Sequence, residues 1–234
     1  MEHQKSITCT LLSGLLVILI LISPLCCLPD SIKPPLLPMP HAVSWKTGRY
    51  CLPDLVHVHI KGEVENADRQ MLSLLLKDWN VTQVIFDNFK NKNITIVCDH
   101  QLVLPSASLE AYRIDVDEQG IQIEARTSAG VFYALQTLGQ LRGSDGKLPY
   151  CSITDYPSFR WRGYLVDVGR NFQSMDVLKE QIDIMARYKL NIFHFHFTED
   201  IAWRLISKKY PGLTDSTNME RWKGKYYTVE EMQE

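Results

Sequence analysis

The sequence predicts an α+β domain followed by the opening of a (β/α)8 TIM barrel, which the 234 residues leave incomplete. Three observations carry that expectation. In the second half, two apolar runs flank an amphipathic helix. Leu165, Val166 and Val168 run up to Arg170, and Ile192, Phe193, Phe195 and Phe197 run up to Glu199 and Asp200. Parallel strands covered on both faces are apolar nearly throughout, and barrels of this kind collect their functional groups at the carboxyl ends of the strands. In the first half the pattern changes to alternation: Tyr112-Arg-Ile-Asp-Val116 and Ile121-Gln-Ile-Glu-Ala125 flank Asp117-Glu-Gln-Gly120, a hairpin. Between the halves, Asp155-Tyr-Pro157 marks a boundary.

The start of the chain is a separate matter. Leu11 to Ile22 is almost wholly apolar, preceded by Lys5 and followed by Ser23-Pro24. Such a run is short for a membrane span and fits the apolar stretch of a signal peptide, expected over 1–28. An uncleaved anchor is the alternative, because no clean small-x-small cleavage site follows. Export is expected, to an extracellular, periplasmic or lysosomal destination, with membrane contact only through this segment. Residues 29–40 are proline-dense and read as an extended linker.

Residues 41–157 are expected to form the α+β domain. Leu55-Val-His-Val-His-Ile60 alternates as a strand. Asn66 is placed to cap a helix with Ala67, Met71, Leu74 and Leu75 on its apolar stripe. Ile94-Thr-Ile-Val-Cys98 is a buried-type strand. Ser128 opens a helix carrying Val131, Leu135 and Leu138, closed by Gly143. Residues 158–234 hold the barrel-like part. There Ser174 caps a helix with Leu178, Ile182, Met185 and Tyr188 inward, and Asp176 and Lys189 suit its dipole. Thr228-Val-Glu-Glu231 has capping-box spacing. No internal repeat is visible.

A net charge of −2, with no basic excess, gives no reason to expect a nucleic-acid partner. Beyond the leader only Cys51, Cys98 and Cys151 remain. They form at most one bridge, or stay as three buried thiols, and no pair has metal-ligand spacing. Asn80-Val-Thr82 and Asn93-Ile-Thr95 are glycosylation triplets, usable if the host modifies exported proteins. His194 and His196 share a strand face without a third ligand nearby in sequence. A catalytic zinc needs three protein ligands, so no metal and no cofactor are expected.

Taken together, three stretches resemble family-20 glycoside hydrolases, the β-N-acetylhexosaminidases. Glu110-Ala-Tyr-Arg-Ile through Ala129-Gly-Val-Phe-Tyr-Ala-Leu-Gln-Thr-Leu-Gly-Gln-Leu141 resembles the end of the family's non-catalytic N-terminal domain. Arg162 to Arg170 resembles its first barrel strand. Asn191 to Asp200, with Trp203-Arg204 and Lys208-Lys209-Tyr210-Pro211, resembles its second. The resemblance spans roughly residues 38–234.

It implies hydrolysis of terminal β-linked N-acetylglucosamine or N-acetylgalactosamine with retention, in which the sugar's own 2-acetamido oxygen attacks the anomeric carbon. It implies that Arg170 binds the hydroxyls on carbons 3 and 4 of the terminal sugar, a task suited to a guanidinium's fixed fork of donors. Glu199 stands where the family usually has an aspartate that supports a later histidine behind the catalytic acid. On the residues themselves, His194 and His196 read as satisfied barrel histidines, with His196 nearer the pocket and a candidate sugar-binding residue, and Asp200 as a structural partner. The acetamido-orienting Asp and the acid Glu come from a His-x-Gly-Gly-Asp-Glu motif that these residues do not contain. The only Asp-Glu pair, Asp117-Glu118, lies in the hairpin turn. The chain alone is therefore expected to be inactive, as a fragment of such a hydrolase. A non-catalytic secreted carbohydrate-binding protein derived from one is the alternative.

Overall fold

The structure is a computed structural model that describes residues 33–87 and 92–234. The expected signal segment, 1–28, and the start of the linker lie outside the described residues. Residues 34–40 are not a free tether. Leu36 packs against the core, and the Gln140 side chain accepts from the Leu37 N–H at 2.7 Å and donates to the Leu37 carbonyl at 2.9 Å. Among the described residues no helix is long and apolar enough to cross a membrane.

Seven strands form one mixed sheet: β1 (Ala42–Tyr50), β2 (Leu55–Gly62), β3 (Gln83–Phe86), β4 (Ile94–Cys98), β5 (Tyr112–Asp117), β6 (Gly120–Ala125) and β7 (Leu148–Asp155). Their spatial order is β1-β7-β5-β6-β4-β2-β3. The β1, β7, β5 and β6 neighbours are antiparallel, while β6, β4, β2 and β3 run parallel. The expected hairpin is β5–β6. Asp117 stabilises its turn by accepting from the Gln119 N–H at 2.8 Å. Gly120 is required there: its φ is +136°, and a Cβ would sit 2.4 Å from the Asn93 carbonyl oxygen.

Helices α1 (Asn66–Asp78) and α2 (Ser128–Leu141) complete this domain. Alternation on β4, β5 and β6 buries Ile94, Ile96, Ile114, Val116, Ile121 and Ile123 in one cluster with Leu72 and Leu76 of α1 and Val131, Leu135 and Leu138 of α2. The inward face of α1 follows the expected stripe only in part: Met71 and Leu75 pack against the core. Asp68, Leu72 and Leu76 are buried, and Leu74 is exposed. Asp68 is tolerated inside because Ser128 donates a hydrogen bond to its carboxylate, while the Ser128 oxygen accepts from the Glu65 N–H at 2.9 Å. Burial raises the Asp68 pKa from its ordinary value. The N-caps are Glu65 and Thr127, each one residue before the expected Asn66 and Ser128. The three cysteines are free thiols, Cys98 and Cys151 buried and Cys51 exposed, so no bridge joins them.

After the sheet comes a parallel β-α-β unit: β8 (Gly163–Asp167), α3 (Met175–Arg187) and β9 (Ile192–His196). Ser174 caps α3 by accepting from the Val177 N–H. Leu178 and Met185 face inward as expected, whereas Ile182 and Tyr188 are exposed. A short helix, α4 (Val229–Gln233), starts with the capping box of Thr228 and Glu231.

Lys189 does not serve the helix dipole. It lies beyond the end of α3 with φ +61°, buried, and its Nζ donates to Asp155 Oδ2 at 2.8 Å and to the Tyr112 hydroxyl at 2.7 Å. Tyr112 also donates to Asp155 at 2.9 Å, and the His41 N–H and ring reach the other carboxylate oxygen at 3.3 and 3.2 Å. Asp155 ends β7 and Lys189 precedes β9, so this network joins the sheet domain to the β-α-β unit. Burial alone would raise the Asp155 pKa. The Lys189 charge and the hydrogen bonds from Lys189, His41 and Tyr112 overcome it and hold Asp155 below its ordinary value.

Candidate functional site

Parallel pairing of β8 with β9 brings the residues after both strands to one end. Gly163 pairs with Ile192 and Asp167 with His196, and the Val168 N–H donates to the His196 carbonyl at 3.0 Å. The chain then turns tightly at each exit. After β8, the Asn171 N–H donates to the Asp167 carbonyl and the Arg170 N–H to Asp167 Oδ1 at 3.0 Å. After β9, the Glu199 N–H donates to the Ala202 carbonyl and the Arg204 N–H to the Phe197 carbonyl. Glu199 and Asp200 therefore stand at a hairpin tip directly across from Arg170. Gly169 permits the approach, since a Cβ there would come within 3.0 Å of the Glu199 Cβ and 3.2 Å of Asp167 Oδ1.

Four side chains meet. Arg170 Nη2 donates to Glu199 Oε1 at 3.0 Å, and Arg170 Nε lies 3.4 Å from Asp167 Oδ2. His196 Nε2 lies 3.1 Å from the same Glu199 oxygen. The carboxylates orient one side of the guanidinium, while the Arg170 side chain is 57% exposed. Its Nη1 makes no hydrogen bond among the described residues. The arrangement presents a held fork of N–H donors to solvent, suited to two adjacent oxygen acceptors.

Beneath this cluster lies Arg204, fully buried. Its guanidinium donates to the carbonyls of Val168 and Gly169 at 3.0 Å each, Trp222 at 3.1 Å, and Arg221 and Lys225 at 2.9 Å each. It also stacks near Phe172, at 5.9 Å. Burial lowers its pKa from the ordinary value. One side chain thus ties the 219–225 loop to the two residues that precede Arg170. Tyr227 closes the same floor, donating to the Gln173 carbonyl at 2.6 Å.

Of the residues singled out in the sequence, Arg170, Glu199 and His196 come together. Asp200 turns aside, its carboxylate accepting from the Ile201 N–H at 3.0 Å. His194 is exposed on β9. Trp203 packs edge-on against Phe197, and its ring N–H donates to the Leu205 carbonyl. Tyr210 is exposed. Asp117 and Glu118 remain in the sheet-domain hairpin, remote in the fold from the cluster. Two members escape sequence reasoning. Asp167 is hidden inside an apolar strand, its one signal being the spacing of three to Arg170. Arg204 carries no signal of burial. The potential ligand set for a cation is also not the histidine pair: ligand atoms of Asp167, His196 and Glu199 lie within 4.8 Å of one another, with the Arg170 guanidinium already between the two carboxylates.

Comparison with known proteins places the chain in a family. Residues 159–234 match the model of the catalytic domain of glycosyl hydrolase family 20, and residues 33–156 match that family's domain 2. A beta-hexosaminidase of Porphyromonas gingivalis is 39% identical over 141 residues, covering 53% of this chain and 18% of the relative. An N,N'-diacetylchitobiase of Vibrio harveyi is 36% identical over 176 residues, covering 70% of this chain and 20% of the relative. The chain thus spans about a fifth of the length of the curated relatives it matches. Among solved structures, a Vibrio harveyi family-20 exo beta-N-acetylglucosaminidase in complex with N-acetylglucosamine superposes with a TM-score of 0.71 at 29% identity, covering 85% of this chain and 33% of that one. A mutant Streptomyces plicatus beta-hexosaminidase in complex with its product superposes with a TM-score of 0.73 at 27% identity, covering 86% and 43%. Two adjoining family models that together account for nearly all of residues 33–234 leave one assignment: the chain belongs to glycosyl hydrolase family 20.

Proposed function

We propose that this chain forms the sugar-recognising part of a β-N-acetylhexosaminidase acting on glycans that end in N-acetylglucosamine or N-acetylgalactosamine. The observation that carries the proposal is the Arg170 guanidinium, oriented from one side by Asp167 and Glu199 and open on the other. Vicinal hydroxyls such as those on carbons 3 and 4 of a hexose offer two acceptors at a spacing this fork fits. Glu199 keeps the guanidinium in place and holds His196 beside it. The relatives that bind N-acetylglucosamine or are named for chitobiose cleavage support the acetamido sugar over a plain hexose. β8 and β9, with their site at the carboxyl ends, serve as opening strands of a (β/α)8 barrel.

Hydrolysis in such a site is substrate-assisted. The 2-acetamido oxygen attacks the anomeric carbon while a carboxylic acid protonates the leaving oxygen, and water then opens the cyclic intermediate with net retention. The His-x-Gly-Gly-Asp-Glu residues that would orient the acetamido group and give the proton do not occur in these 234 residues. On their own, these residues therefore bind the sugar without turning it over. Export through the N-terminal apolar segment completes the proposal.

Titration of the chain with N-acetylglucosamine, followed by protein NMR, tests it. Weak saturable shifts at Arg170 and His196, lost in Arg170→Ala while the fold is retained, are the expected result. Equal shifts in the two proteins would overturn the assignment of Arg170. Release of nitrophenol from a nitrophenyl N-acetylglucosaminide by the chain alone would overturn its inactivity.

A further inference from the structure

The sheet domain carries two Asn-x-Thr triplets, and the fold treats them in opposite ways. Asn80 follows the last turn of α1 with φ +64°, and its N–H donates to the Lys77 carbonyl at 2.9 Å. The residue is exposed, and its side-chain amide makes no hydrogen bond among the described residues. Val81 beside it is buried, which anchors the loop and turns Asn80 outward. Thr82 is exposed as well, its hydroxyl and N–H each donating to the Asp54 carbonyl at 2.9 Å.

Asn93 is half-buried and committed at both ends of its amide. Its Oδ1 accepts from the His57 N–H at 2.8 Å, and its Nδ2 donates to the Tyr50 hydroxyl at 3.2 Å. Its backbone is equally occupied: the N–H donates to the His57 carbonyl at 3.0 Å, and the carbonyl accepts from the Ile121 N–H at 2.9 Å. Asn93 therefore ties together the end of β1, strand β2 and the start of β6. Thr95 lies within β4, paired with His59 on one side and Gln122 on the other. A bulky modification is tolerated where the side chain is exposed and its amide makes no bond within the fold, and excluded where a half-buried amide already serves the sheet.

We propose that Asn80 is the N-glycan acceptor of the sheet domain and that Asn93 stays unmodified in the folded, exported protein. The donor is an oligosaccharide joined through diphosphate to a lipid. An Nδ2–H bond of Asn80 breaks and an Nδ2–C1 bond forms. The C1–O bond to the lipid diphosphate breaks, and the leaving diphosphate takes the electron pair while the displaced proton passes to base. A sugar on Asn93 Nδ2 would compete with insertion of β4 between β2 and β6, so such chains do not join the folded pool. The proposal rests on export, and the test separates the two.

The full chain is produced in a cultured animal cell line in two forms, with its own leader and behind an added leader of proven function. Secreted protein is treated with peptide-N-glycosidase in oxygen-18 water, and the peptides holding Asn80 and Asn93 are read by mass spectrometry. Label at Asn80 near completion and none at Asn93 is expected. Asn80→Gln and Thr82→Ala should each remove one glycan's worth of gel mobility, and Thr95→Ala none. Label at Asn93 in soluble secreted chain, or a bare Asn80 in chain carried by the proven leader, overturns the proposal. Label at Asn80 only behind the added leader supports the site and overturns export by the native segment.

Discussion

The seven-stranded domain and the β-α-β unit use similar apolar residues to different ends. In the first, Ile114, Ile123, Leu135 and Leu138 are wholly inaccessible, because the two helices lie on the face that alternation makes apolar. In the second, Val166, Val168 and Leu178 are buried, yet Leu165 is 54% exposed, Ile182 46% and Tyr164 40%. Apolar sequence gives a strand its tendency to pack, but only a covering element turns that tendency into stability. The less covered unit is tied to the closed one by polar contacts, the buried Lys189–Asp155–Tyr112 network and the Arg162–Glu110 ion pair among them.

The largest test of that contrast is Lys189→Met. It leaves Asp155 buried without its cation and should cost about 4 kcal/mol in urea unfolding. The double variant Lys189→Met, Asp155→Leu should recover a large part. If the single variant is neutral, the Lys189 network contributes nothing to holding the regions together. Next comes Ile123→Ala, expected to lose about 3 kcal/mol through lost burial and a cavity. Leu165→Ala, on the exposed side of β8, should lose about 0.5 kcal/mol, and equal losses would erase the distinction between the regions.

Acid provides a finer probe of this network. The folded-state pKa of Asp155 lies below its unfolded value, so the unfolded chain binds more protons between the two. Its contribution is complete above the unfolded value of about 3.9 and is lost as pH falls through the folded one. The stability gap between the native chain and Asp155→Asn should therefore narrow below about pH 4. A gap that stays constant into acid would remove Asp155 from the account. Arg170→Ala should likewise change stability little. Its exposed ion pairs contribute less than about 1 kcal/mol. That substitution should nevertheless abolish the sugar-dependent NMR shifts.

Much of the architecture is legible directly. The β5–β6 hairpin announces itself by alternation around Asp117-Glu-Gln-Gly120, and β8 and β9 by clustered apolar residues that Asp167 interrupts in the first and His194 and His196 in the second. Strand β7 does not. Leu148-Pro-Tyr-Cys-Ser-Ile-Thr-Asp155 carries a proline and small polar residues, yet it lies between β1 and β5, with Pro149 at its start where a missing N–H is tolerated. On α1, Met71 and Leu75 pack inward as expected, while the buried Asp68, satisfied by Ser128 of α2, is a polar residue that apolar periodicity passes over.

The same division runs through the candidate site. Chain order alone determined that Arg170 and Glu199 each follow an apolar strand, and parallel strands put such exits at one end. Tertiary structure decided the rest. The in-register pairing of Asp167 with His196 places a second carboxylate on Arg170, Gly169 allows Glu199 to approach it, and the buried Arg204 ties the floor together through five carbonyls. Sequence records local preference, in which a side chain's hydrophobicity and its neighbours along the chain set strand or helix. Whether a charged group ends buried, exposed or paired depends on partners far along the chain, and only the closed fold sets those distances.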